Sequence, residues 1–242
     1  MVFERCVTIP AVATKGSPMI VVHHLNDSRS QRVLWLLEEL GVPYEIRHYA
    51  RNATTRLAPP ELVAVHPLGK SPVITDGDVT VAESGAIVEY LVDTYGQGRL
   101  VPAAGTPEKR RWTYWLHFAE GTAMSPLLMK LVFGRIQTAP MPFFVKPVAK
   151  GIAAKVLSTF VDPNIRAQLD YMESELGQRA WFAGDEFSAA DVQMSFPLEA
   201  AAQRAGLDAS RPNLMGWLKR IHARPAYRKA LERGGPYDFA KD

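Results

Sequence analysis

The sequence contains a single cysteine, Cys6, among 242 residues. One thiol cannot close an intramolecular disulfide, so nothing points to an oxidising compartment. Residues 7–242 hold none, which argues against thiol–disulfide chemistry on a protein cysteine unless Cys6 reaches the site. No run of 18 or more apolar residues occurs, so no transmembrane helix is expected. The net charge is only +3, from 28 basic and 25 acidic residues. That is too mild to imply a nucleic-acid partner, although the pI is near 9.0. The six histidines lack metal-ligand spacing, and His23 and His24, adjacent on an expected strand, would face opposite ways. No glycine-rich phosphate loop, Ser-His-Asp arrangement or basic-aromatic strip stands out. A cytoplasmic protein with no metal, nucleic-acid or membrane partner is the expectation.

What is present is ordinary for a globular chain: 47% hydrophobic and 22% charged residues. Charge is shared unevenly. Residues 19–98 carry six Lys/Arg against ten Asp/Glu, whereas residues 99–242 carry twenty against fourteen. An acidic front and a basic back could attract each other across a dimer. Residues 1–18 show no sustained period and end in Lys-Gly-Ser-Pro, and read as a loosely packed extension. A strand is expected over 19–24 and a helix over 31–40, where Val33, Leu36, Leu37 and Leu40 make one buried stripe. Gly41 stands where a glycine ends a helix. A second strand over 44–49 completes a parallel βαβ unit.

The most informative stretch runs from His66 to Tyr90. Pro67 and Gly69 mark a turn, and Pro72 forces extended geometry on Ser71. Val73 and Ile74 favour a strand, Asp76-Gly77 signals a tight hairpin, and Val79 and Val81 alternate with polar residues. Glu83-Ser84 then precedes Ile87, Val88 and Leu91, where a helix begins and its free N–H groups attract a carboxylate. Taken singly, these pieces describe only a hairpin followed by an N-cap. In this order and spacing, Pro67-Leu68-Gly69-Lys70-Ser71-Pro72-Val73 and Glu83-Ser84 resemble the glutathione-binding half of the cytosolic glutathione S-transferases.

That resemblance, over about residues 19–235, implies a thioredoxin-like α/β N-terminal domain (19–98), a linker (99–107) and an all-α C-terminal helical bundle (108–242). It implies a cis Pro72, with the Ser71 backbone pairing with the cysteinyl backbone of glutathione. Glu83 and Ser84 would hold the γ-glutamyl end, and Lys70 would lie near the glycyl carboxylate. His66 stands where the family often has Asn. A homodimer is implied as well, with glutathione as co-substrate.

Glutathione transfer needs a thiolate. A hydroxyl at a helix N-terminus can help to supply it, and the loop after the first strand offers Ser28 and Ser30, with Asn26 as a further polar group. In the serine-type classes the catalytic serine stands four residues before an arginine, and Ser28 and Arg32 match that spacing. Ser28 is therefore the expected donor and Ser30 the runner-up, against the plainer role of a helix cap for Ser28. No tyrosine lies between Met19 and Gln31, so the tyrosine-type classes do not fit. Arg32 reads as a structural anchor. For the electrophile, an apolar wall is expected from Trp112, Tyr114, Trp115, Phe118 and Met129. Glutathione-dependent peroxide reduction, reductive ether cleavage, and a non-catalytic glutathione-binding module are the alternatives.

In the second half, residues 108–133 and 144–177 read as helices, with charge pairs among Arg166, Asp170 and Glu173. Ser188 and Asp191 form an expected capping box, with Phe187 and Val192 as its hydrophobic staple. Residues 234–242 read as a surface tail.

Overall fold

The computed structural model describes residues 19–240 except Asp27 and Arg56, and the expected extension over residues 1–18 lies outside them. Strand β1 (Ile20–Leu25) runs inside a four-stranded sheet of order β2-β1-β3-β4. Helix α1 (Ser30–Leu40) returns the chain to β2 (Tyr44–Tyr49), which pairs with β1 in parallel from Ile20↔Tyr44 to Leu25↔Tyr49. The short helix α2 (Pro60–Val65) leads to β3 (Val73–Asp76), antiparallel to β1, and the hairpin at Gly77 leads to β4 (Val79–Ala82). Helix α3 (Ser84–Tyr95) completes the expected β-α-β-α-β-β-α order.

Every described element after α3 is a helix. Helix α4 (Pro107–His117) passes through a π-helical turn, Phe118–Ala123, into α5 (Met124–Thr138). Then follow α6 (Lys146–Val156), a second π-helical turn over Leu157–Val161, and α7 (Asp162–Gln178). The chain ends with α8 (Ala189–Arg204), α9 (Pro212–His222) and α10 (Pro225–Gly234). Prolines open α4, α9 and α10, where a missing N–H costs nothing.

Helix α1 is the hub. Its expected stripe of Val33, Leu36, Leu37 and Leu40 is buried, but so are Leu34 and Trp35. The reason is that α1 has β1 and α3 on one side and α8 and α10 on the other, so no face is left to water. Gly234 permits the closest approach: a Cβ there would stand 2.6 Å from Gln31 Oε1 and 2.8 Å from Leu34 Cδ1.

Two expectations for the second half are corrected. The end of the chain is not a surface tail: Phe239 is buried against Phe196, their ring centroids 5.0 Å apart, and the Tyr237 hydroxyl donates to Glu199 Oε2 at 2.6 Å. Asp170 and Glu173 reach across helices instead of along one. Asp170 pairs with Arg211 at 2.8 Å, and Glu173 accepts the N–H groups of Asn213 and Leu214 at the start of α9. Phe187 lies against the rings of Trp35 and Trp181, with the Arg224 guanidinium 3.7 Å from its centroid. The Ser188–Asp191 capping box is formed as expected.

Candidate active site

The site begins where β1 stops. Ser28 is buried at the turn into α1, and its Oγ accepts the N–H of Ser30 at 3.2 Å. The same oxygen lies 2.6 Å from Ser30 Oγ and 3.3 Å from Ser71 Oγ. Ser71 has no proton to offer Ser28, because its hydroxyl donates to the carbonyl of His23 at 3.0 Å, while it accepts the Leu25 N–H. Ser30 is fully buried, one layer deeper, 2.8 Å from His24 Nδ1. Asn26 is exposed and turned elsewhere: its side-chain oxygen accepts the Arg51 N–H at 3.3 Å.

The Ser71–Pro72 peptide is cis. The β1–β3 register begins at His23↔Val73 and leaves the backbone of Ser71 outside the ladder, free to pair with an extended ligand. Lys70 is exposed beside it. Across from this edge, Glu83 is exposed with φ 72°, ψ 126°, a backbone conformation that L-residues rarely adopt, and Ser84 opens α3 beneath it. Glu83, the N-terminus of α3, the Ser71 backbone and Ser28 thus lie along β1, β3 and the ends of α1 and α3. Their N–H, carbonyl and carboxylate groups make a candidate cradle of the chemistry that a short zwitterionic peptide needs.

Arg32 ties the two halves of the molecule together. Its buried guanidinium donates to the Gln193 carbonyl of α8 at 2.5 Å, to Ser84 Oγ at 3.3 Å and to the Glu120 carboxylate of the first π-helical turn. Arg29 adds a second ion pair to Glu120, at 3.1 Å. Burial alone would raise the Glu120 carboxyl, but Arg32 and Arg29 outweigh it and hold the group below its ordinary 4.5.

The expected electrophile wall is corrected in part. Trp112 and Trp115 are core residues: Trp112 donates its indole N–H to the Leu100 carbonyl at 3.1 Å, and Trp115 stacks on Tyr171 and packs against Phe182. Phe118 is buried with them, Met129 is half-buried, and Tyr114 is exposed. Other apolar side chains lie beneath the two arginines at the start of α1. Phe196 of α8 lies 5.6 Å below both Arg29 and Arg32, in a small cluster with Met124, Ala200 and Phe239. Sequence reasoning missed them because α8 is buried on every side although it carries polar residues, so no apolar stripe marks Phe196, and because Phe239 reads as part of a tail.

Comparison with known proteins accords with this geometry. Residues 17–93 match the family described as glutathione S-transferase, N-terminal domain, and residues 151–225 match glutathione S-transferase, C-terminal domain. The chain is similar to glutathione S-transferase 3 of Schizosaccharomyces pombe, 36% identical over 89% of this chain and 88% of that one. It superposes on a glutathione S-transferase from Actinobacillus pleuropneumoniae with a TM-score of 0.75, at 32% identity over 93% of this chain and 97% of that one. It also superposes on a sphingomonad glutathione S-transferase complexed with glutathione, with a TM-score of 0.68, at 25% identity over 89% of this chain and 98% of that one. Among the described residues no group of three or more His, Cys, Asp and Glu could hold a metal, and no helix is long and apolar enough to cross a membrane. This chain belongs to the glutathione S-transferase family, and it is an enzyme that uses glutathione as co-substrate.

Proposed function

We propose that Ser28 is the hydrogen-bond donor that holds the glutathione sulfur as a thiolate for attack on an apolar electrophile. A free thiol titrates near 8.5 and is only a few per cent ionised at neutral pH. Lowering that value by ~2 units takes roughly 2.7 kcal/mol of preference for the anion. A hydroxyl at the N-terminus of α1 offers a charge-assisted hydrogen bond and a share of the helix dipole. Ser71, Pro72, Glu83, Ser84 and Lys70 would bind the peptide, with Ser71 pairing through its backbone. The domain division at residues 98 and 108 and a cytoplasmic location complete the reading.

One observation carries the choice of Ser28 over Ser30. Ser28 Oγ lies within 3.3 Å of Ser71, beside the backbone that would hold the cysteinyl unit, whereas Ser30 is behind it, against His24. The deciding measurement is the ultraviolet thiolate absorbance of bound glutathione across pH. For the wild type, the bound thiol should titrate about two units below the free value. In Ser28→Ala it should return most of the way, with a fall in kcat of about tenfold or more. An unshifted thiol in the wild type would favour a binding module instead. An unchanged shift in Ser28→Ala would transfer the role to Ser30.

A further inference from the structure

Helices α5 and α6 form a hairpin that leaves the body of the molecule. In α5 only Met124 and Pro126, both in its first turn, are buried, and in α6 only Ala153 is. The connecting loop, residues 139–145, reads Ala-Pro-Met-Pro-Phe-Phe-Val and contains no polar side chain. Loops normally run through water and are polar. Here Phe143 is 85% exposed and Phe144 69%, their rings edge to face at 5.6 Å, and Val148 and Ile152 continue the apolar surface along α6. Isolated apolar residues on a surface need no explanation, but a contiguous group at the tip of a projecting element does.

Charge bears on what could cover it. Residues 121–161 contain no Asp or Glu and five basic residues: Lys130, Arg135, Lys146, Lys150 and Lys155. Lys130 is paired with Asp162, at 2.6 Å. Lys146 and Lys150 are exposed and stand within the first turns of α6, immediately behind the aromatic tip, and Arg135 is exposed one turn before the end of α5. Two copies meeting tip to tip would bring these positive collars together, which disfavours that contact. An apolar wedge behind a basic collar fits the headgroup–acyl boundary of an anionic bilayer.

We infer that the α5–α6 hairpin is a peripheral docking element for an anionic lipid surface, with Phe143 and Phe144 entering the interface and Arg135, Lys146 and Lys150 holding its headgroups. This departs from the absence of a membrane partner expected from composition. That expectation averages over the chain a charge and an apolarity that the fold gathers at one tip. The element lies outside the glutathione cradle and does not depend on the role of Ser28.

The test is sedimentation of the full chain with sucrose-loaded vesicles, of phosphatidylcholine alone or with one-third phosphatidylserine, at low and high salt. Binding is expected to need phosphatidylserine and to weaken with salt. Lys146→Gln/Lys150→Gln should lower the partition coefficient about fivefold for each charge removed, and Phe143→Ser/Phe144→Ser should abolish binding. Unchanged glutathione turnover would show that both variants are folded. Absence of wild-type binding, binding indifferent to phosphatidylserine, or full binding by the Phe143→Ser/Phe144→Ser variant would overturn the inference. If that variant instead changes the mass found by light scattering while the wild type ignores vesicles, the tip belongs to a subunit contact.

Discussion

At the scale of single residues, two positions spend stability in opposite ways. Glu83 keeps a positive φ that a glycine would adopt freely. Strain of this kind costs on the order of 1–3 kcal/mol and persists where the surrounding structure over-determines it, here the turn from β4 into α3. Asp191 is the reverse, an ionisable group wholly enclosed yet fully served. It accepts the N–H groups of Phe182 and Ser188, the Ser188 hydroxyl and the Trp217 indole, all between 3.0 and 3.2 Å. Burial pushes its carboxyl up to about 6 against the pull of those donors. From sequence, Asp191 reads as the third residue of a helix cap, for which removal costs about 0.5–2 kcal/mol. The structure makes it the junction of α8, α9 and the loop before α8, so Asp191→Ala should cost about 3 kcal/mol or more by leaving several donors unpaired. Urea unfolding measures this directly, and a loss no larger than that of a surface cap would contradict it.

At the scale of elements, the clasp of Arg29 and Arg32 on Glu120 joins α1 to the π-helical turn after α4. The Glu120 carboxyl is held below 4.5 in the folded state. An acid depressed in this way contributes stability that is present above its unfolded value and lost as pH falls through the folded one. Acidification below 4.5 should therefore weaken the wild type more steeply than Glu120→Gln, which should already be less stable at neutral pH. Denaturant midpoints measured across that range for both proteins check the prediction, and parallel slopes would refute it. Arg32 was legible as an anchor because an arginine so early in an apolar helix needs a partner. Glu120 was not legible: its distance along the chain gave no hint, and the pairing exists only because the two halves pack face to face.

At the scale of the whole molecule, the family implies a dimer, and light scattering should find twice the mass of 26.8 kDa. An attraction between an acidic front and a basic back is the simplest picture from the sequence, but the fold redistributes the charge. Within residues 99–242, those outside 121–161 carry fifteen basic against fourteen acidic residues, so the surplus belongs to the hairpin. Dimerisation should accordingly be insensitive to salt, while attachment to anionic vesicles should not be. A dimer that dissociates as salt rises would restore the electrostatic picture.

The sequence alone determined what depends on local chemistry. The strands and hairpin from Val73 to Ala82, the helix-ending Gly41, and the Ser188–Asp191 box act over a few residues and recur in the structure where expected, although the edge strand β4 leaves Val79 exposed instead of alternating in burial. The tertiary structure decided what depends on neighbours remote in the chain. Trp112 and Trp115 became core instead of cleft because α4 turns that face inward. Residues 235–240 became a packed strap, with Phe239 buried, because Glu199 accepts the hydroxyls of Tyr227 and Tyr237 and Phe196 receives Phe239. The exposed tip of the α5–α6 hairpin has the same origin. Its apolar pattern is that of any buried segment, and only the path of the two helices away from the core leaves it uncovered.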